Sequence, residues 1–116
     1  MVNNNYSTNK LLLEVGVSPD LSGYRYLVEA INATKENMIN NEIYKITMLY
    51  KDIGKKFHTT GTRVERAIRH AVEKTFYLNN SALQTMFNAF ADESGKVTNS
   101  CFVYTMAEHL IMEEGK

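Results

Sequence analysis

The chain has 116 residues, 44% hydrophobic and 22% charged, with one proline and one cysteine, which suits a single globular domain that buries a modest core without staples. No run of about eighteen apolar residues exists, and the start MVNNNYSTNK lacks the apolar segment of a signal peptide, so neither a membrane span nor a secretory leader is expected. Thirteen cations and thirteen acids cancel, which argues against a bulk polyanion binder, and Cys101 has no partner for an internal disulfide, which points to a reducing, cytoplasmic setting.

The asparagine-rich first nine residues read as a disordered segment ahead of one folded domain over 10–116. Beyond them apolar residues recur at three and four, without strand-like alternation, and predict an all-α bundle of about six helices. A short helix over Lys10 to Val15 stops at Gly16, with Pro19 marking the loop that follows. Ser22 is placed to cap a helix carrying Tyr24, Leu27, Val28 and Ile31 on one face. A third run puts Ile39, Ile43, Ile46 and Leu49 on one stripe, and a short segment from Lys51 to Phe57 sets Ile53 and Phe57 four apart. The longest helix is expected over Gly61 to Leu78. Asn80 or Ser81 starts another, through Leu83, Met86, Phe87 and Phe90. A polar loop from Ala91 to Val97 leads to a last helix over Asn99 to Glu113, whose inward face is Phe102, Val103, Met106, Leu110 and Ile111.

The charge is unevenly placed. Between Lys51 and Lys74 seven cations face three acids, a net +4 that leaves −4 on the remainder. A basic patch on a neutral protein is the footprint of a small, oriented nucleic-acid surface, and also an arrangement that chance supplies. Within that segment Val64, Ile68, Ala71, Val72 and Phe76 form an apolar stripe, while Thr62, Glu65, Arg66, Arg69 and Glu73 lie opposite, flanked by Arg63 and His70. Those charges have a plain structural use: Glu65 with Arg69, and Arg69 with Glu73, are spaced for surface ion pairs, and Thr62 with Glu65 matches a capping box. The preceding residues add a second reading. A short helix, the polar turn His58-Thr59-Thr60 and then a long helix have the spacing of a helix-turn-helix, in which the first turns of the second helix enter the major groove. Arginine is the best bidentate partner of guanine and glutamate accepts from cytosine N4, so Glu65, Arg66 and Arg69 are the candidate base readers. Lys55, Lys56, Thr59, Thr60, Thr62 and Arg63 are candidate phosphate or groove contacts.

The stretch DIGKKFHTTGTRVERAIRHAVE resembles the helix-turn-helix of the stage zero sporulation protein A response-regulator family. GVSPDLSGYRYLVEAI and GKVTNSCFVYTMAEHL resemble the same family's DNA-binding output domain, in the same order, so that the similarity covers about Leu11 to Ile111. The resemblance implies a six-helix effector domain that regulates transcription in sporulation by binding a TGTCGAA-type box in double-stranded DNA. It implies base contacts by Glu65 and Arg66, with Arg69 and His70 as further groove or phosphate contacts and Thr62 in place of a serine. Self-association on tandem boxes and contact with RNA polymerase also follow from the family, the latter from the neighbourhood of Tyr77 to Ser94, where this sequence matches poorly. Lys51 stands where the family has proline and Phe76 where it has tryptophan. No stretch resembles the phosphorylatable aspartate pocket of a receiver domain, which fits either an excised output domain or a stand-alone one.

Other chemistry is sparse. His58, His70, His109 and Cys101 lack metal-ligand spacing, no glycine-rich phosphate loop exists, and no nucleophile constellation is visible, so neither a cofactor nor an enzymatic activity is expected. The rival to DNA binding is a protein-binding module with a degenerate helix-turn-helix, using Tyr104, Met106, Met112 and the cluster Met86, Phe87 and Phe90 as an apolar surface. Cys101 is expected as a small buried filler.

Overall fold

A computed structural model describes residues 4–78, 81–87 and 96–115, which form six helices and no strand. In chain order they are α1 (Asn4–Glu14), α2 (Ser22–Ile39), α3 (Ile46–Lys56), α4 (Gly61–Tyr77), α5 (Ser81–Phe87) and α6 (Asn99–Glu114). The expected all-α bundle is observed. Phe90 and most of the expected polar loop lie outside the described residues.

Three of these helices stop in the same way. The residue after the C-cap adopts a left-handed conformation, and the two amides at the turn are given to carbonyls that the helix end leaves open. Gly16 (φ 91°) does this for α1, with Val17 N donating to Leu12 O at 2.9 Å and Gly16 N to Leu13 O at 3.1 Å. Asn41 (φ 57°) does it for α2, with Glu42 N on Asn37 O at 2.8 Å and Asn41 N on Met38 O at 3.3 Å. His58 (φ 58°) does it for α3, with Thr59 N on Gly54 O at 2.7 Å and His58 N on Lys55 O at 3.4 Å. The Asn41 stop overturns the expected third stripe. Ile39 is the last residue of α2, Ile43 projects from the connection at 99% exposure, and only Ile46 and Leu49 belong to α3. The short helix expected to begin at Lys51 is the second half of α3, whose first turn lies at Ile46.

Two further boundaries are corrected. Residues 4–9 are helical rather than disordered, and Asn5, Thr8 and Asn9 tie this turn to α2. Thr8 is fully buried and donates to Asn32 Oδ1, Asn32 Nδ2 donates to Asn5 Oδ1 at 2.9 Å, and the Tyr24 hydroxyl donates to Asn9 Oδ1 at 2.6 Å. The N-cap of α2 is Leu21, with no side-chain cap, and Ser22 is already inside the helix.

Helix α2 is the hub, packing on α1, α3, α4 and α6, and its crossing with α4 is at backbone distance. A Cβ built on Gly23 would lie 2.1 Å from the Ala67 carbonyl oxygen, so only glycine allows this approach. Around the crossing, Leu12, Leu27, Ile31, Val64, Ile68, Phe102 and Met106 are fully buried, each contributing roughly 1.5–3 kcal/mol of transfer free energy. Phe76 joins Phe87 and Phe102 in an aromatic cluster with centroids 5.3–6.2 Å apart, which fixes α4, α5 and α6 against one another. Lys35 is buried and reaches Glu114 at 2.5 Å, tying the end of α6 to α2. Among the described residues, the apolar surface expected for a protein-binding module is mostly core: Met106 and Phe87 are buried, Met86 is packed on the core, and Tyr104 and Met112 are exposed. Cys101 is half-buried on α6 with its Sγ 3.9 Å from Thr105 Oγ1.

Candidate nucleic-acid interface

The helix-turn-helix is α3, the turn Phe57 to Thr60, and α4. Its tightness depends on Gly54. A Cβ there would lie 2.9 Å from the Thr60 carbonyl carbon and 3.0 Å from Gly61 N, so any side chain would push the turn off α3. His58 supplies the left-handed kink and Thr60 the N-cap of α4, its Oγ1 accepting from Arg63 N at 3.2 Å. The start of α4 is therefore fixed by two independent devices, one backbone and one side chain.

Helix α4 is two-faced. Val64, Ile68, Ala71, Val72 and Thr75 are buried, and the Thr75 hydroxyl donates back to the Ala71 carbonyl. Thr62, Arg63, Arg66, Arg69, His70 and Glu73 are exposed, and Glu65 is half-buried at the edge of that face. Every candidate contact from α4 thus lies on the solvent side or its margin, and Thr62 and Arg63 stand in the first turn, at the positive helix end.

The side chains differ in how free they are. Among the described residues Arg66 and Arg63 are held by no ion pair, and Arg66 sits mid-face. Arg69 Nη1 donates to Glu65 Oε1 at 2.9 Å, with about half of the Arg69 side chain exposed. Lys55 is exposed on the last turn of α3, where its charge suits the helix dipole. Lys56 turns away from α4: its Nζ lies 2.6 Å from Glu29 of α2 and 5.8 Å from the Phe57 ring. Thr59 has committed its amide to Gly54, while the Thr60 hydroxyl accepts the cap bond and retains its proton for donation.

The capping-box expectation for Glu65 is overturned. The cap residue is Thr60, two positions earlier than a Thr62 box requires, and Glu65 instead pairs with Arg69. Its Oε2 remains available to an incoming donor.

A fastening of α4 that the sequence did not announce comes from α6. Thr98 caps α6 by accepting from Cys101 N, and the side-chain Nδ2 of the neighbouring Asn99 donates to the Glu65 carbonyl at 3.3 Å. Asn99 also faces the Tyr50 hydroxyl of α3. Burial raises the Tyr50 pKa above its ordinary 10.0, and the Asn99 hydrogen bond opposes that shift. A groove of about 420 Å³ runs between these elements, lined by Tyr50, Glu65, Arg69, Lys96, Thr98 and Asn99 among others. No local pattern of residues signals a contact between positions 34 apart.

Among the described residues no helix is long and apolar enough to cross a membrane, and no group of three or more His, Cys, Asp or Glu side chains is placed to hold a metal. The family model described as "Sporulation initiation factor Spo0A C terminal" matches residues 8–110. The chain belongs to this family. Its members are DNA-binding effector domains of sporulation transcription regulation. The match begins inside α1 and runs to Leu110 of α6, so it takes in the segment after Tyr77, where the motif resemblance was weakest.

Proposed function

We propose that this protein is a sequence-specific reader of double-stranded DNA, with α4 lying in the major groove and Glu65 and Arg66 at the base edges of a TGTCGAA-like box. The observation that carries the reading is Arg66: an exposed guanidinium, mid-face on α4, with no acid among the described residues holding it. An exposed guanidinium on a rigid helix keeps its fork of donors for guanine O6 and N7. Glu65 and Arg69 form a pair that can accept from cytosine N4 through the free carboxylate oxygen while the guanidinium faces a phosphate or base. Lys55, Thr60, Thr62, Arg63 and His70 surround this centre as backbone contacts, and Lys56 joins them by exchanging Glu29 for a phosphate.

One α4 reaches only a few base pairs, so an extended site takes two copies on tandem boxes. Exposed Tyr104 and Met112 on α6 are available for contact between them. Selection of bound sequences from a random duplex pool tests the reading. It expects enrichment of one short box with one or more C·G pairs, bound tightly at low salt and weakening steeply as salt rises. Recovery of unenriched sequence at every salt concentration would sink it.

A further inference from the structure

We propose that Arg25 of α2 is an additional contact to the DNA backbone, extending the footprint beyond the helix-turn-helix itself. The inference rests on the placement of α4 in the major groove. Arg25 and Glu29 are four apart on α2, the spacing of an intrahelical ion pair, yet Glu29 is taken by Lys56 of α3 at 2.6 Å. Arg25 is exposed, and its guanidinium lies over the Phe57 ring, 5.1 Å from the centroid. Phe57 is itself propped edge-on by Tyr26 at 5.4 Å, so the shelf beneath the cation is rigid. Among the described residues no acid pairs with Arg25.

The position of this cation is set by two constraints. Phe57 caps α3 at the entrance to the turn, three residues before the N-cap Thr60. Gly23, two residues before Arg25, lies against the Ala67 carbonyl. On a helix Arg63, Ala67, His70 and Lys74 share one flank, spaced at three and four. The first turn of α2 therefore runs beside that flank. Lys74 lies near enough to Asp20, in the connection just before α2, to help lower its carboxyl pKa, after the larger effect of the Ser18 hydroxyl. Over the Phe57 ring, Arg25 thus stands beside the turn that enters α4, on the side proposed to meet one phosphate strand. A guanidinium held by a ring face keeps all its N–H donors for oxygen, which is the state a phosphate contact needs. Sequence spacing gave no hint of it, since Arg25 precedes the basic segment by 26 residues.

The test combines protein and DNA changes on the selected box. Wild type, Arg25→Gln and Arg25→Lys are titrated across salt, and against duplexes carrying one uncharged methylphosphonate at each linkage in turn. The expected result is that Arg25→Gln weakens box and scrambled duplex by the same factor and lowers the log–log salt slope by about 0.9, one phosphate contact. Arg25→Lys retains the slope. At one linkage the neutral substitution weakens wild type but not Arg25→Gln. A wild-type box preference together with an unchanged Arg25→Gln slope and additive losses at every linkage overturns this contact alone. A wild-type chain that ignores duplex DNA overturns the groove placement and this contact with it. Unchanged circular dichroism of Arg25→Gln shows that the loss is not one of fold.

Discussion

Replacing Glu65 by alanine separates what this side chain does for the fold from what it does for DNA. For the fold, the structure leaves it one task, the i,i+4 pair with Arg69, in which about half of the Arg69 side chain is in solvent. Such pairs contribute roughly 0.2–0.5 kcal/mol. No cap is lost, because Thr60 holds that position, and the Asn99 bond goes to the Glu65 carbonyl, which alanine keeps. For a domain of this size the loss corresponds to a fall in Tm of about 1–3 °C. For DNA the losses are larger and of another kind. A carboxylate accepting from cytosine contributes roughly 1–3 kcal/mol of discrimination, and its removal also takes an acid away from a polyanion while releasing Arg69. The expected outcome is a nearly unchanged melting curve, a box preference reduced by about 5- to 150-fold, and scrambled duplex bound as tightly as by wild type or tighter. Calorimetry or circular dichroism gives the first quantity, and competition of box against scrambled duplex gives the others. A Tm drop of 5 °C or more, taken as roughly 1 kcal/mol or above, with box preference intact would refute the assignment and return Glu65 to a purely structural role.

Arg66→Ala should cost about 1–3 kcal/mol on the cognate box and relax discrimination at one guanine, with Tm unchanged, because the side chain is exposed and pairs with no acid among the described residues; equal losses on box and scrambled duplex would remove it from base reading. Thr60→Ala should lower stability by about 1 kcal/mol through the lost cap, and thermal unfolding that matches wild type would show that α4 starts without it. Gly23→Ala forces a methyl to 2.1 Å from the Ala67 carbonyl oxygen, so α2 and α4 must separate; we expect destabilisation of about 1–3 kcal/mol or more by chemical denaturation, and a wild-type midpoint would mean the crossing is loose. Burial, the larger cause, keeps the Tyr50 hydroxyl protonated to higher pH in the folded state than in the unfolded chain. Its contribution to stability is then fully present below about pH 10 and is lost as pH rises through the raised folded value, so Tyr50→Phe should flatten the alkaline decline measured by denaturant unfolding.

The sequence by itself determined the class of fold, the helix-turn-helix and the two faces of α4. These follow from local information: residues at three and four share a face, and a face dense in Val, Ile and Ala must go inward. It also marked the end of α1, because Gly16 is the residue type that adopts a left-handed conformation without cost. The same stop at Asn41 and His58 was harder to read, since asparagine and histidine enter that conformation more readily than most side chains but far less freely than glycine. Without it the apolar spacing of Ile39, Ile43 and Ile46 mimicked a continuous helix. Order in residues 4–9 was hidden for a related reason: Asn5, Thr8 and Asn9 are polar, and the α1–α2 packing brings Asn32 and Tyr24 to them as partners. For the candidate site, periodicity put the side chains on the right face of α4 but left their pairing open. Tertiary structure decided which cations are free. It gave the cap to Thr60, paired Glu65 with Arg69, turned Lys56 onto Glu29, and set Arg25 over Phe57 beside the turn that enters α4. Spacing states which partners are within reach along one helix; the choice among them is made by the neighbours that packing brings in from another.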